Sequence, residues 1–282
     1  MKHLIVTADD FGLTRSVNEG ILRACREGIV TSVSVLPTGE AFEDAIRSAK
    51  AAGIKSVGAH LALTETAPVT DPQKIPTLVA KDNRFYKDYL RFFFKLFSKK
   101  IDYGQVYIEL KGQLDRLITA GIPVTNLNSH EHIHMVPDIL KIFVRLAKEY
   151  NIPSVRYLHG DMLLSPFKIK KIYKAIVLSY FGGRMNNVLG GSGIARPDNF
   201  IGFLDSGDLN ESILINMLNA LGEGTAELVT HPGFLGPELL ERYRFHLNCE
   251  SELFALTSPR VKKTIKDKNI KLITYEELTA KR

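Results

Sequence analysis

The sequence contains few cysteines and no long apolar segment. Its two cysteines, Cys25 and Cys249, are too few for a disulfide framework, so we expect reduced thiols in a cytoplasmic protein. The apolar run at residues 4–6 ends at Thr7, which makes it too short for the core of a secretory signal peptide. No segment approaches the roughly 20 apolar residues of a membrane span.

Motifs that bind nucleic acids or dinucleotides are also missing. There is no zinc-finger spacing and no aromatic RNA-binding motif, so nucleic acid is not an expected partner. Residues 8–12, Ala-Asp-Asp-Phe-Gly, do not form the glycine fingerprint that a nucleotide-binding open sheet needs after its first strand. The net charge of +6 leaves a membrane surface or an anionic substrate as candidate partners.

The composition that remains is that of an ordinary folded protein. Of the 282 residues, 45% are apolar and 24% are charged. A chain of this length can bury a sizeable core without crosslinks. We expect a single domain that spans residues 1–282.

Short apolar runs alternate with longer helical patterns along most of the chain. This alternation predicts parallel strands joined by helices, which favours a single-domain α/β fold, a (β/α) barrel that is distorted or incomplete and has long βα loops. A doubly wound open sheet is the alternative. Ser16, with Glu19 three residues on, is the expected N-cap of the first helix. Strands are predicted at 4–8, 31–36, 57–63, 124–128, 154–157, 226–230 and 271–274, helices at 16–27, 40–52, 105–120, 137–150, 208–221 and 259–268, and long loops at 67–87 and 189–206.

Polar residues occur where several predicted strands end, which is where a barrel places its chemistry. Asp9 and Asp10 follow the first strand, His60 lies on the third, and His231 follows a late strand. Each has an ordinary structural explanation. The aspartates could cap a helix, His60 could be a hydrogen-bonded core histidine, and His231 could simply end its strand before a proline.

The fourth predicted strand leads into three histidines at alternate positions, His130, His132 and His134. All three share one face if the backbone is extended, and the first and last share one if it is helical. Imidazole is the commonest metal ligand in proteins. One Asp and two His residues could hold a divalent ion, and a second carboxylate beside the ion could act as a general base in metal-assisted hydrolysis. The same ligands could hold iron for oxygen chemistry, but that usually accompanies all-β patterning.

At these residues the chain resembles the YdjC-like (ChbG-like) carbohydrate deacetylases, and the resemblance covers nearly the whole sequence. The matching segments are Thr-Ala-Asp-Asp-Phe-Gly-Leu at 7–13, Asn-Glu-Gly-Ile at 18–21, Gly-Ile-Val-Thr-Ser at 28–32, Gly-Ala-His-Leu-Ala-Leu-Thr at 58–64, Asn-Ser-His-Glu-His-Ile-His-Met-Val-Pro at 128–137, Thr-His-Pro-Gly at 230–233 and Glu-Leu-Phe-Ala-Leu-Thr-Ser-Pro at 252–259.

The resemblance implies a barrel-like enzyme that removes acetyl groups from N-acetylated sugars with one divalent metal ion. By motif position, Asp10, His60 and His130 would be the metal ligands. Asp9 would be the catalytic base, and His231 the acid on the opposite side. A histidine suits that role because its ordinary pKa lies near working pH. The ligand types suit zinc, whereas magnesium prefers more oxygen.

Asn128 departs from the pattern, because family members that act on chitin oligosaccharides often carry Asp there. Its presence resembles the branch linked to hopanoid glycolipids. His132 and His134 could orient the ligands from behind or contact the substrate. The alternatives are a deacetylase of soluble chitin oligosaccharides, a carbohydrate-binding barrel without catalysis, and a metal-dependent phosphoesterase. A phosphoesterase usually has arginine clamps near its metal motifs, and none stands out.

Two segments, at 85–100 and 167–184, combine bulky apolar residues with lysines and arginines, and four phenylalanines lie between Phe92 and Phe97. They could be amphipathic barrel helices whose lysine stems cover apolar surface. Alternatively, the aromatic and basic residues could bind an anionic membrane surface reversibly, as interfacial helices do. The second possibility fits a lipid-linked sugar as substrate.

Overall fold

The computed structural model describes residues 1–87, 89–161 and 169–280, with the backbone alone at 169–171 and 244. The strands are β1 (Lys2–Phe11), β2 (Ser32–Val35), β3 (Val57–Leu61), β4 (Val124–Ser129), β5 (Ser154–Val155), β6 (Asn199–Ile201), β7 (Gly224–Thr230) and β8 (Ile270–Leu272). The α-helices are α1 (Arg15–Glu27), α2 (Phe42–Ala51), α3 (Tyr89–Phe97), α4 (Tyr103–Thr119), α5 (Pro137–Glu149), α6 (Ile169–Leu189), α7 (Glu211–Ala220), α8 (Pro237–Arg242), α9 (Cys249–Thr257), α10 (Pro259–Asp267) and α11 (Tyr275–Ala280).

The strands form one parallel sheet in the order β5-β4-β3-β2-β1-β7-β6, and the short β8 pairs with the start of β1. The sheet curls until its two edges approach each other. Val155 donates its backbone N–H to the Ala195 carbonyl at 3.1 Å, and Phe200 donates to the His159 carbonyl at 2.7 Å. These few hydrogen bonds join the β5 and β6 edges of the sheet less completely than a strand pair would. The prediction of a distorted (β/α) barrel is therefore confirmed.

The central strand β1 is buried on both faces, as expected for a parallel strand covered by helices. Leu4, Val6 and Ala8 belong to the main apolar core. The alternate residues, Ile5, Thr7 and Asp9, point into the barrel, because successive side chains of a strand lie on opposite faces. The interior of the barrel thus changes from apolar to charged along a single strand.

Two local predictions differ from the structure. The N-cap of α1 is Thr14, not Ser16: Thr14 has an extended backbone, and its hydroxyl accepts the N–H of Val17 at 3.2 Å. The segment at 189–206, predicted as a loop, contains β6. Three residues are too few to show a strand pattern in sequence, and pairing with β7 creates the strand.

Among the described residues, no helix combines the length and apolar character needed to cross a bilayer.

Candidate active site

The carboxyl ends of β1, β3, β4 and β7 bring the predicted site residues together. Asp9 and Asp10 lie near the end of β1, His60 lies on β3, and His130 and His231 directly follow β4 and β7. All five are at least 92% buried, since their exposed fractions are 0–8%. This is the end of a parallel barrel at which catalytic groups collect.

Asp10, His60 and His130 form one compact cluster. Oδ1 of Asp10 lies 2.9 Å from Nδ1 of His130 and 3.2 Å from Nε2 of His60. One ligand atom from each residue lies within 4.8 Å of the other two. A carboxylate and two imidazoles directed at one point could hold a divalent metal ion. Asp10 has a φ of 64°, a left-handed conformation that costs energy in a non-glycine residue and recurs at functional sites.

The charge state of this cluster also fits a bound cation. Burial favours the neutral imidazole of His130, yet Asp10 and Glu65 raise its pKa well above the ordinary value. Nε2 of His130 lies 3.0 Å from Oε2 of Glu65, a residue that carries no sequence signal for this site. The pKa of Asp10 is held well below its usual range by His130, His246 and His60, against the effect of burial. The carboxylates therefore stabilise a positive charge in this cluster, and a metal ion could supply it in place of the proton on His130.

Asn128 controls the tautomer of His60. With its oxygen directed at Ser34 (2.7 Å) and at Nη2 of Arg156 (3.1 Å), the Asn128 amide donates to Nδ1 of His60 at 2.7 Å. An imidazole that accepts this bond at Nδ1 carries its proton on Nε2, which in His60 is directed at Asp10. In the opposite orientation the Asn128 oxygen accepts a hydrogen bond from Nδ1, which frees the Nε2 lone pair that metal binding requires.

Asp9 lies beside this cluster but makes a different contact. Arg156 binds both of its carboxylate oxygens, at 2.6 and 2.9 Å, and also bonds to Oε1 of Glu227 at 2.8 and 3.1 Å. Although burial opposes ionisation, Arg156 holds the pKa of Asp9 well below its usual range. Arg156 corrects the expectation that no arginine stands near the motifs. Its guanidinium is paired with the carboxylates of Asp9 and Glu227, so it is not a phosphate clamp.

His231 lies close to the carboxylates, but its surroundings differ from those expected. Burial lowers the pKa of His231 to about 4, so the expectation of a pKa near working pH is wrong. Its backbone N–H donates to Oε2 of Glu252 at 2.7 Å, and its Nδ1 lies 4.0 Å from the same oxygen. Phe245 packs edge-on against its ring, with 4.9 Å between the ring centroids.

His132 and His134 do not join the cluster. Nδ1 of His134 lies 2.5 Å from the Ser129 hydroxyl, and burial lowers the pKa of His134 to about 3. The His132 ring packs between Phe200 and Phe203, with centroids 5.6 and 5.2 Å away. Glu131 and His132 have positive φ angles, so the backbone follows neither of the two regular patterns considered from sequence.

His246 is a site residue that carries no motif. It lies in the short 3₁₀ helix Arg244–Asn248, is 3% exposed, and places Nε2 at 3.2 Å from Oδ2 of Asp10. Oδ1 of Asp10 is the oxygen directed at His60 and His130, so His246 holds the other oxygen. No sequence pattern indicates this contact, because the segment reaches the site only through the loop after β7.

Comparison with known proteins identifies the chain. The sequence profile of the YdjC-like protein family matches residues 3–267. The chain belongs to the YdjC-like family. Among its relatives is a protein of Brevibacillus brevis named carbohydrate deacetylase, which is 33% identical over 98% of this chain and 99% of its own length.

A second relative, from Proteus mirabilis, is named chitooligosaccharide deacetylase and is 28% identical over 99% of this chain and 100% of its own length. A solved structure from Enterococcus faecalis V583, described as a cellobiose-phosphate cleavage protein, is 26% identical. It superposes with a TM-score of 0.80 over 99% of both chains. The two chains therefore share one fold along their whole length.

Proposed function

We propose that the protein is a metal-dependent hydrolase that removes the acetyl group from an N-acetylated sugar. The observation that carries the proposal is the Asp10–His60–His130 cluster, with a second carboxylate, Asp9, beside it and outside the ligand set. Curated YdjC-like relatives named carbohydrate deacetylase support the substrate class.

Asp10, His60 and His130 would hold the metal ion, and the donor types fit zinc better than magnesium. A bound divalent ion would acidify a water molecule and polarise the acetyl carbonyl. Asn128 fixes the His60 ring, and His246 fixes the free oxygen of Asp10. These contacts hold the ligands in one geometry before the substrate arrives.

Asp9 would accept the proton of the attacking water. Because Arg156 binds both of its oxygens, the carboxylate is ionised and immobile at any working pH. The same ion pair makes Asp9 a weak base, so the attacking water must itself be acidified. On the opposite side, His231 would protonate the nitrogen of the departing sugar amine, since an amide anion leaves too slowly without a proton.

Acetate release tests the proposed function directly. The purified protein is incubated with a panel of N-acetylated sugars, chitin oligosaccharides and acetylated glycolipids, with and without a chelator. We expect acetate from at least one acetylated sugar, loss of activity with the chelator, and recovery on adding zinc or magnesium. Activity that survives complete removal of metal would contradict the metal-dependent mechanism.

Asp9→Asn separates the base from the ligands. We expect this variant to retain its metal and to release acetate about 10²–10⁴-fold more slowly, because an amide cannot accept the water proton. Acetate release at the wild-type rate would show that Asp9 acts only as the structural partner of Arg156.

For the substrate, we propose a lipid-linked N-acetyl sugar reached at an anionic membrane surface. Helix α3 buries Phe92 and Leu96 but leaves Phe94 and Phe97 68% and 64% exposed. Arg91 and Lys95, on the same helix, lie over the Tyr86 ring. Exposed phenylalanines beside cations are typical of a helix that lies in the headgroup region.

Helix α6 carries a second exposed apolar surface, formed by Ile172, Tyr173, Ile176 and Tyr180. Phe167 and Lys168, part of the same predicted segment, lie outside the described residues. Soluble chitin oligosaccharides are the alternative substrate, supported by the name of the Proteus mirabilis relative. A binding protein without catalysis has less support, since the proposed base and acid both lie beside the cluster.

Vesicle binding distinguishes the two substrates. We expect the protein to co-sediment with vesicles that contain anionic lipid, less so as salt rises, and the double variant Phe94→Ser/Phe97→Ser to lose binding. Phe254→Ser is the matched control, because Phe254 is 64% exposed on α9, outside the two aromatic–basic segments. Absence of binding at low salt, with faster turnover of chitin oligosaccharides, would favour the soluble substrate.

A further inference from the structure

Glu252 is a buried carboxyl group that the mechanism above does not use. It lies on α9 and is 2% exposed. It accepts backbone N–H groups from His231, at 2.7 Å, and from Gly207. It therefore connects α9 to the loop after β7. The sequence segment that begins at Glu252 matches the family, but the resemblance assigns it no role.

The same carboxyl oxygen faces the imidazole of His231. Oε2 of Glu252 lies 4.0 Å from Nδ1 of His231, just beyond hydrogen-bond distance, and among the described residues that enclosed nitrogen has no hydrogen-bond partner. A group that could exchange a proton with Nδ1 is thus in place on the buried side of the ring.

The surroundings of His231 make such a partner necessary. Burial lowers the pKa of His231 to about 4, so at neutral pH the ring carries one proton and is a poor acid by itself. Burial raises the pKa of Glu252 to about 8, so this carboxyl holds its proton through neutral pH. The two side chains together keep a proton that the imidazole alone would lose.

We propose that Glu252 is the positioning residue of His231 and supplies a proton to its Nδ1 while Nε2 protonates the leaving amine. This inference rests on the proposed deacetylase function. In the step, the Nε2–H bond breaks and an N–H bond forms on the amine as the C–N bond of the amide breaks. The O–H bond of Glu252 breaks and an Nδ1–H bond forms. Nε2 of His231 then takes a proton from water and Nδ1 returns its proton to Glu252, which restores both groups.

The charged groups around the pair are those of the site itself. His231 is influenced by Asp9 and Asp10, which favour its protonated form, and by His246 and His60, which oppose it. Glu252 is influenced by Asp208 in addition to burial. Since Asp208 is also acidic, the nearby charge favours the protonated carboxyl.

Glu252→Gln tests the proposal because glutamine keeps an oxygen to accept the two backbone N–H groups but has no acidic proton. We expect acetate release from an N-acetylated sugar to slow about 10²-fold. Hydrolysis of 4-nitrophenyl acetate should remain within about twofold of wild type, because nitrophenolate leaves without a proton. Glu252→Asp should recover part of the loss.

Glu109→Gln is the matched control. Glu109 is also fully buried and accepts backbone N–H groups, from Val69 and Thr70 at 3.0 and 2.9 Å, but it lies on α4 and does not contact His231. It should release acetate at the wild-type rate. The double variant His231→Ala/Glu252→Gln should be no slower than His231→Ala, since the proposed effect of Glu252 passes through His231.

The His231 tautomer provides a readout that does not depend on activity. Nitrogen NMR of ¹⁵N-histidine-labelled protein at pH 7 can follow the Nδ1 resonance of His231, which is assigned with His231→Ala. We expect this resonance to shift in Glu252→Gln and to stay at its wild-type position in Glu109→Gln. Failure of the wild type to release acetate would refute the proposed function and leave this test in place. An unchanged Nδ1 resonance, additive losses in the double variant, or an equal loss with 4-nitrophenyl acetate would overturn the proposal.

Discussion

The two ends of the barrel interior are built from opposite materials. At the carboxyl ends of the strands, which we call the upper end, Arg156 bonds to Asp9 and Glu227, and all three side chains are fully buried. We call these three residues the upper network. At the amino-terminal ends of the strands, which we call the lower end, Ile5 packs against Ile273, Tyr275 and Leu278. These four residues form the lower cluster. The inward face of β1 joins the two regions, from Ile5 through Thr7 to Asp9.

This contrast separates stability from function. Apolar contacts are non-directional, so the lower cluster can lose atoms and still be sealed from water. Buried charges are costly unless every partner is present, so the upper network depends on each of its members. An apolar filling would serve stability at least as well there. The charged network is instead what keeps Asp9 ionised and fixed beside the Asp10–His60–His130 cluster.

The largest effect should follow from breaking the upper end at its ligands. Asp10→Ala, His60→Ala and His130→Ala should each lose bound metal and lower acetate release by about 10³-fold or more, because a divalent ion contributes several kcal/mol at the transition state. Elemental analysis and acetate assays measure both. The exposed His159→Ala is the control, and full metal occupancy in all three ligand variants would contradict the assignment.

Removing the central cation of the upper network should be the next largest effect. Arg156→Met leaves Asp9 and Glu227 buried without a partner, and we expect the free energy of unfolding to fall by about 3–5 kcal/mol. Urea titration measures the loss. Arg145→Met, which removes an exposed arginine paired with Glu149, should lower the free energy of unfolding far less, because water and salt screen a surface pair. Similar losses for the two variants would argue against a tightly coupled interior network.

The lower end should respond more mildly. Leu278→Ala removes apolar atoms from the cluster around Ile5, and we expect the free energy of unfolding to fall by about 2–3 kcal/mol. Because this cluster lies at the opposite end from the ligands, acetate release per folded molecule should stay at the wild-type value. A lowered turnover at full folding would mean that the two ends are mechanically coupled.

The smallest expected effect is a difference in how the stability of the two ends depends on pH. The pKa of Asp9 is depressed from 3.8, so its contribution to stability is complete above that value and is lost as the pH falls further. The stability gap between wild type and Arg156→Met should therefore narrow by about 1–2 kcal/mol between pH 5 and pH 2. The gap for Leu278→Ala should not change, and urea titrations across this pH range measure both. If the difference in free energy of unfolding from wild type stays constant with pH for both variants, no ionised carboxylate pairs with Arg156.

The site residues divide between those that sequence could find and those it could not. His60 and His130 stand out because the first lies near the end of an apolar strand pattern and the second directly follows one, and these strand ends meet at one edge of a parallel sheet. Arg156 follows such a strand too, but a single arginine gives no sign of its partners. His246 and Glu252 lie in helical segments after β7, and no periodicity links them to β1.

The sequence by itself determined the parallel (β/α) order and the position of the candidate aspartates and histidines at strand ends, because apolar periodicity and strand ends are local features. The family resemblance singled out Asp10, His60 and His130 among them. Only the tertiary structure decided the charge states, since these depend on burial and on neighbours distant in the chain. A histidine near neutral pKa in water becomes a weakly basic one when enclosed. Asp9, which could have been a simple helix cap, becomes a fixed carboxylate because Arg156, 147 residues away, binds both of its oxygens.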